Sequence, residues 1–347
     1  MSSPIINSPV EEDILDEAAR GSVDGEVPAE IAGRSLSQLA WMRLRRDRVA
    51  LISMAFLLTV LVIAMLAPLA VAVLRVDPYT FDTSAISAAR GGLPQSDLPG
   101  WLGKAGISWD HPLGVEPLSG RDILARLIYG ARISLFVAFT ATLLTTVIGT
   151  IVGTVSGYLG GWVDGFFGRL MDLILAFPLL IMLLSLSTPL IQRLEAMGVP
   201  KGNPARLTYL ILVFAVFGWP YIARIVRGQV VSLREREFVE SAVAMGAGSR
   251  RIVFRELIPN LWAPILVYAT ITLPAYISAE AALAFLGVGV LEPQATWGKM
   301  LADSVRYSKA DPLYLFIPGL ALFLVVLAFN LLGDSVRDAL DPRAGRV

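Results

Sequence analysis

The sequence predicts an all-α, polytopic membrane protein with six transmembrane helices. Three observations carry that prediction. Hydrophobic residues make up 55% of the 347, and mean hydropathy is +0.65. Six apolar segments are long enough to cross a hydrocarbon core about 30 Å thick, which takes roughly 20 helical residues. Basic residues gather beside the segment ends that one topology places in the cytoplasm. Inside a bilayer the backbone must satisfy itself, so such segments are helices.

The chain opens MSSPIINSPVEEDILDEAAR, polar and acidic where a signal peptide would place a basic and then an apolar region. Residues 1–38 read as a solvated, flexible cytoplasmic tail with at most a short helix near Glu11–Arg20. Residues 39–75 hold an N-terminal anchor, whose span is Val49–Leu74. Arg43, Arg45, Arg46 and Arg48 stand just before it and place the amino terminus in the cytoplasm. Residues 76–130 form an extracytoplasmic loop rich in Gly, Pro and Asp, followed by an elbow. There Arg121, Arg126 and Arg132 run against the charge rule, and an amphipathic elbow would accommodate them.

The core, residues 131–333, carries the other spans at about Ile133–Tyr158, Phe166–Ile191, Leu207–Val226, Leu261–Leu286 and Leu313–Leu332. Residues 334–347, with Arg337, Arg343 and Arg346, return to the cytoplasm. Pro68, Pro178, Pro220, Pro264 and Pro274 each remove a backbone donor within a span and favour kinks. Gly153, Gly157, Gly161 and Gly165 recur every fourth residue, spacing that makes a groove for a close helix neighbour. That neighbour is a helix of the same chain or of a second subunit. Gly160 and Gly161 fall in the tight turn after the second span.

Several classes of function are excluded. Basic and acidic residues balance at 29 each, which gives no footprint for nucleic acid. The chain has no cysteine, so disulfides, thiol catalysis and thiolate metal sites are ruled out. No Gly-x-x-x-x-Gly-Lys-Ser/Thr phosphate loop occurs, and the single His111 cannot build a multi-histidine metal site. His111, beside Pro112 and Gly114, reads as a structural loop residue.

Charges near the spans carry two readings each. Glu280, in the outer half of the fifth span, must face protein or water. It either belongs to a translocation path or gate, with Phe285 nearby, or bonds to a neighbouring helix. Asp164, Arg169 and Asp172 cluster at the start of the third span, where Arg169 and Asp172 are spaced to pair on one helical face.

The stretch ESAVAMGAGSRRIVFRELIPN, Glu240–Asn260, is too charged for the bilayer. Phe238, Val239, Ala242, Val243 and Met245 interleave with Glu237, Glu240 and Ser241 as in an amphipathic helix. Gly246-Ala247-Gly248 breaks it. Ser249 then suits the N-cap of a second short helix, on which Ile252, Val253 and Leu257 share a face while Arg250, Arg251, Arg255 and Glu256 stay wet. Pro259 ends the unit. Chemistry alone leaves this helix–turn–helix lying on lipid headgroups or docking to protein.

Its spacing resembles the EAA loop of permease subunits in ATP-binding-cassette importers: Glu-Ala-Ala, three residues, Gly, nine residues, Ile-x-Leu-Pro. Glu240, Ala242, Gly246 and Pro259 fall at that spacing, and Ser241, Glu256 and Ile258 depart from it. A polar residue at the position of Glu256 is common in the peptide-importing branch. HPLGVEPLSGRDILARLIYGARISL (His111–Leu135), AEAALAFLGVGV (Ala279–Val290) with WGKML, and GDSVRDALDPR (Gly333–Arg343) are similar to the "C" subunit of the dipeptide/oligopeptide/nickel permeases.

The resemblance implies the type I importer (MetI-like) permease fold, in a bacterial plasma membrane, with a cytoplasmic coupling helix within residues 236–259. It implies a homologous "B" permease subunit, two cytoplasmic ATPase domains and an extracytoplasmic substrate-binding protein as partners. No cofactor belongs to this chain; ATP and Mg would be bound by the ATPases. Coupling would rest on Glu240, Ala242, Met245, Gly246, Ala247, Arg251 and Pro259. Di- or oligopeptides are the implied cargo, with nickel or another small solute the alternative in the same family. An ion-driven secondary transporter would need internal inverted repeats, which the sequence does not show, and a plain membrane scaffold leaves the polar loop unexplained.

Overall fold

The apolar segments are helical in the computed structural model, which describes residues 36–340. In chain order the helices are α1 (Leu36–Leu44), α2 (Arg48–Met65), α3 (Ala67–Leu74), α4 (Gly100–Lys104), α5 (Ile123–Leu159), α6 (Gly161–Leu175) and α7 (Leu179–Ala196). There follow α8 (Asn203–Leu233), α9 (Glu237–Ala244), α10 (Ser249–Arg251), α11 (Trp262–Phe285), α12 (Trp297–Ser304) and α13 (Pro312–Leu340). Six of them, α2, α5, α7, α8, α11 and α13, are long and apolar enough to cross a membrane. The acidic tail, the short helix expected near Glu11–Arg20, and the arginines at 343 and 346 lie outside the described residues.

Two predicted spans are divided. The first breaks at Leu66, because Pro68 in the first turn of α3 cannot donate into a continuous helix. The third divides at Ala176–Pro178 into α6 and α7, and only α7 is a spanning helix. Pro220 and Pro274 stay inside continuous helices, as do Pro189 and Pro318. Pro264 sits in the first turn of α11, where a donor is spare anyway.

The glycine repeat faces the chain's own α8. A Cβ on Gly149 would lie 2.8 Å from the Ile222 side chain, on Gly153 2.5 Å from the Ala223 carbonyl, and on Gly157 2.9 Å from the Arg227 carbonyl. Gly161 and Gly165 take no part, since a Cβ on either meets nothing within 4 Å. The repeat therefore starts four residues earlier, at Gly149, and ends at Gly157. Gly160 and Gly161, both with positive φ (64° and 54°), make the turn out of α5. Deeper in the bundle the Tyr276 hydroxyl donates to the Phe214 carbonyl at 3.1 Å and lies 3.0 Å from Thr145 Oγ1. Its ring stacks on Phe214 at 4.9 Å, so α5, α8 and α11 meet at one knot.

Residues 76–119 form a small lobe at one face of the bundle, with an antiparallel hairpin pairing Ile86–Ser87 (β1) and Leu93–Pro94 (β2). No separate elbow precedes the second span, because α5 runs unbroken from Ile123 rather than from Ile133. Arg126 is fully buried: its Nε lies 2.6 Å from Glu116, its Nη2 3.2 Å from Glu292, and its Nη1 donates to the Pro293 carbonyl at 3.2 Å. Arg121 binds the same two carboxylates, and the Tyr314 hydroxyl donates to Glu116 at 3.1 Å. Burial pulls the Glu292 carboxyl up, but Arg121 and Arg126 outweigh it and hold the carboxyl below the usual range. Protein carboxylates thus neutralise both of these arginines, while Arg132 stands exposed.

Candidate functional site: the helix–turn–helix between α8 and α11

The stretch from Glu237 to Asn260 lies at the face opposite the lobe and is firmly seated there. Glu237 and Glu240 occupy the first turn of α9, where negative charge suits the helix dipole. The helix closes in a Schellman turn: Ala247 N donates to the Ala242 carbonyl at 3.0 Å, and Gly246 N to Val243 at 2.9 Å. That turn needs a left-handed residue, and Gly246 supplies it with φ +79°. Gly248 is extended (φ −70°, ψ 155°) and holds the N-cap position of the next helix. Ser249 is therefore the first helical residue and not the predicted cap, because the Schellman turn ends one residue earlier than that register required. From Ile252 to Leu257 the chain widens into a π-helical turn, and Pro259 lies in a 3₁₀ turn that leads into α11.

One face of this unit is core. Val239, Ile252, Val253, Leu257 and Leu261 are buried against Ile222, Val226 and Val230 of α8, with Ala247 packed at the edge. Ala242 is buried as well. Each fully buried aliphatic side chain contributes about 1.5–3 kcal/mol, so the seat on α8 is strong. The other face is open. Met245 is 80% exposed, Phe254 55% and Val243 54%. Glu240, Arg250, Arg251 and Arg255 surround them, all exposed. Exposed apolar side chains rimmed by charge mark a surface built for contact.

Nearby, α6 is held to the bundle by ion pairs. Asp164 accepts from Arg227 Nη2 at 2.6 Å and from Ser156 Oγ at 2.6 Å. Arg227, first of all, pulls the Asp164 carboxyl down to about 2. Asp172 pairs with Arg224 of α8 at 2.5 Å, not with Arg169; α6 faces α8 there, which puts a better-placed cation in reach. Beyond α6, the start of α2 is tied to the end of α13, where Ser335 Oγ donates to Asp47 at 2.6 Å.

At the lobe face Glu280 is fully buried, and Ser134 Oγ of α5 donates to its Oε2 at 3.0 Å. The Ser134 hydroxyl in turn accepts from Trp297 N at 3.3 Å. Glu280 thus joins α11 to α5 and α12, while Phe285 stands 57% exposed at the end of α11. Asn203 holds the loop after α11 through both backbone groups of Leu291, each at 2.7 Å, and Arg206 donates to the Gly289 carbonyl at 3.1 Å. Sequence reasoning missed this strap and the Tyr276 knot. Their partners, mostly backbone groups, are distant in sequence, and no spacing reveals them.

Fold and site define a class, the polytopic helical membrane protein with one polar helix–turn–helix packed beneath its spans. A family model described as binding-protein-dependent transport system inner membrane component matches residues 123–346. The chain belongs to that family and is a permease component. A second model, the N-terminal TM domain of oligopeptide transport permease C, matches residues 35–93. The chain is 36% identical over 304 residues to the dipeptide transport system permease protein DppC of Alkalihalophilus pseudofirmus, covering 88% of this chain and 89% of the relative. It is 34% identical over 336 residues to the oligopeptide transport system permease protein OppC of Bacillus subtilis, covering 96% and 98%. The OppC protein of Escherichia coli is 34% identical over 317 residues, covering 90% and 93%. A solved inward-facing MetNI methionine ABC transporter overlaps 63% of this chain and 98% of its own, with 21% identity and a TM-score of 0.49.

Proposed function

We propose that this chain is the "C"-type transmembrane subunit of an ATP-driven importer of di- or oligopeptides. It forms half of the translocation pathway beside a homologous "B" subunit. The amino and carboxyl termini and the Glu237–Asn260 unit lie in the cytoplasm, and the lobe lies outside. Two ATPase domains bind ATP and Mg and receive the exposed face of the unit through Glu240, Met245, Gly246 and Arg251. Ala242, Ala247 and Pro259 hold that face in shape. Outside, a substrate-binding protein docks on the lobe. Phe285 faces the passage at its outer end, and Glu280 fixes the helix that carries it.

The observation that supports this reading best is the two-sidedness of the unit. One face is core shared with α8, and the other presents Val243, Met245 and Phe254 among charges. A surface so built receives force from a partner and passes it to a spanning helix. The relatives' names supply the peptide cargo.

Co-expression with ATPase and partner permease subunits tests the reading. The complex should hydrolyse ATP faster when loaded binding protein is added, and should carry labelled dipeptide into proteoliposomes. The chain purified alone should hydrolyse none. An assembled complex that binds no ATPase domain through this chain would defeat the proposal.

A further inference from the structure

The only histidine of the chain stands between two carboxylates in the lobe. His111 Nδ1 lies 2.9 Å from Asp122 Oδ2, and Nε2 lies 3.3 Å from Asp82 Oδ2. A neutral imidazole carries one N–H and can serve one of these acceptors; the imidazolium serves both. The two carboxylates are unequal. Asp122 is buried at the head of α5, where it also accepts from Ala125 N at 2.7 Å. Asp82 is partly solvated and has other donors, Ser84 N at 2.8 Å and Ser84 Oγ at 2.5 Å.

The remaining surroundings are simple. Ser108 Oγ accepts from His111 N at 3.0 Å, and Asp110, on the same turn, is exposed. Asp82 from the 76–85 stretch and Asp122 from α5 are the ionisable groups in contact with the ring. Burial pushes the Asp122 carboxyl above its usual range, so acid weakens that arm before it reaches the Asp82 one.

Loss of the second imidazole proton has a directed effect. Asp122, shut away from water, keeps the Nδ1–H. The bare Nε2 then faces a carboxylate oxygen, acceptor against acceptor, and Asp82 has water and Ser84 to turn to. Asp82 is also a wall. With Ser84 and His111 it lines one side of a cleft of about 760 Å³, and Gln95, Leu98 and the fully exposed Trp109 belong to the same lining. Its backbone presses on the turn before α5 so closely that a Cβ on Gly120 would lie 1.9 Å from the Asp82 carbonyl.

We propose that His111 is a proton-operated latch on this cleft: protonated, it ties the stretch around Asp82 to the head of α5, and deprotonated, it releases it. Given the orientation proposed above, on which this consequence rests, the latch reads the pH outside the cell and shapes the surface offered to the binding protein.

The chain's lack of cysteine makes the test direct. Thr83→Cys and Trp109→Cys, both at exposed positions, take spin labels on the Asp82 stretch and on the turn that carries His111, in the full chain in nanodiscs. Over a pH series from about 5 to about 8.5, the distance distribution should widen as pH rises. Its midpoint should coincide with the titration of the one histidine signal in ¹⁵N NMR. Asp82→Asn should flatten the response, because an amide can accept from Nε2–H or donate to bare Nε2. Identical distances at both ends of the range, or an undiminished response in Asp82→Asn, would overturn the latch. The affinity of the assembled complex for its binding protein, measured over the same range, separates the two claims. A latch that moves while affinity stays constant removes the binding protein from this cleft.

Discussion

Gly246 is the position at which the coupling reading can be broken with the least collateral damage. Its φ is +79°, and a Cβ built there meets no atom within 4 Å. A substitution therefore costs backbone strain and nothing in packing. An L-residue in the left-handed region costs about 1–2 kcal/mol, with Asn at the low end and a β-branched residue such as Val at the high end. The Schellman turn that would relax the strain is held by two backbone bonds, each worth about 1 kcal/mol net. The contest is thus close for Val, and the turn populates a second geometry that shifts Met245 against Arg250 and Arg251. A difference of 1–2 kcal/mol is a factor of about 5–30 in that population. The buried face, from Val239 to Leu261, is untouched, so melting of the whole chain should scarcely change. In proteoliposomes of the assembled complex, Gly246→Val should cut transport per ATP hydrolysed by at least about 5-fold, and Gly246→Asn by far less. Gly246→Val transporting at the unmodified rate with its ATPases bound would mean that this turn does not couple the two.

Other positions give independent checks. Gly153→Ala forces a Cβ to within 2.5 Å of the Ala223 carbonyl and should destabilise the purified chain by about 1–3 kcal/mol. Gly165→Ala, with open space and a mid-helix position, should leave it unchanged or up to about 1 kcal/mol more stable by thermal melting. The Asp164 carboxyl is depressed to about 2 in the folded chain, so its ion pair stabilises fully above about pH 4, the ordinary carboxylate value, and the contribution fades as pH falls through the folded pKa. The melting difference between the unmodified chain and Asp164→Asn should be flat from pH 8 to about 4 and then vanish. Glu280→Gln keeps an acceptor for Ser134 and should melt like the unmodified chain, whereas Glu280→Leu strands that hydroxyl and should lose about 1–3 kcal/mol. If Glu280→Leu is stable but transports nothing, Glu280 acts on cargo and not only on packing.

The sequence was most legible where one physical rule dominated. Hydropathy located the six spans because a bilayer admits no other spanning solution for such segments. The Glu237–Pro259 unit was legible because its apolar and charged residues sort onto two faces, and because a Gly must follow a helix that ends left-handed. Boundaries failed where local rules were outvoted. Ser249 is a good cap in isolation, but the register set by Gly246 gives the cap position to Gly248. Arg169 and Asp172 are well spaced for each other, yet Arg224 of α8 reaches Asp172 first. Arg121 and Arg126 read as an elbow because one of the two carboxylates that neutralise them, Glu292, is distant in sequence, as is Tyr314, which donates to the other, Glu116.

These tertiary contacts also say how force applied at one face reaches the other. Helix α8, Asn203–Leu233, has 31 residues and so spans about 46 Å. At its far end Val226 and Val230 share a core with the Glu237–Asn260 unit. In its middle α5 lies against it through Gly149, Gly153 and Gly157, so close that neither helix can slide without the other. The Tyr276 hydroxyl on the Phe214 carbonyl adds α11 to the pair. At the near end Asn203 and Arg206 hold the loop that follows Phe285. Glu292, in that same loop, binds Arg121 and Arg126 at the head of α5. Close-packed interiors transmit displacement and do not absorb it. A partner that tilts the unit must therefore tilt α5, α8 and α11 together and carry the loop beyond Phe285 with them. Cutting the strap with Asn203→Ala should uncouple that loop from the unit, leaving ATPase docking intact while transport per ATP falls. Transport unaffected by the cut would mean that the loop follows α11 alone.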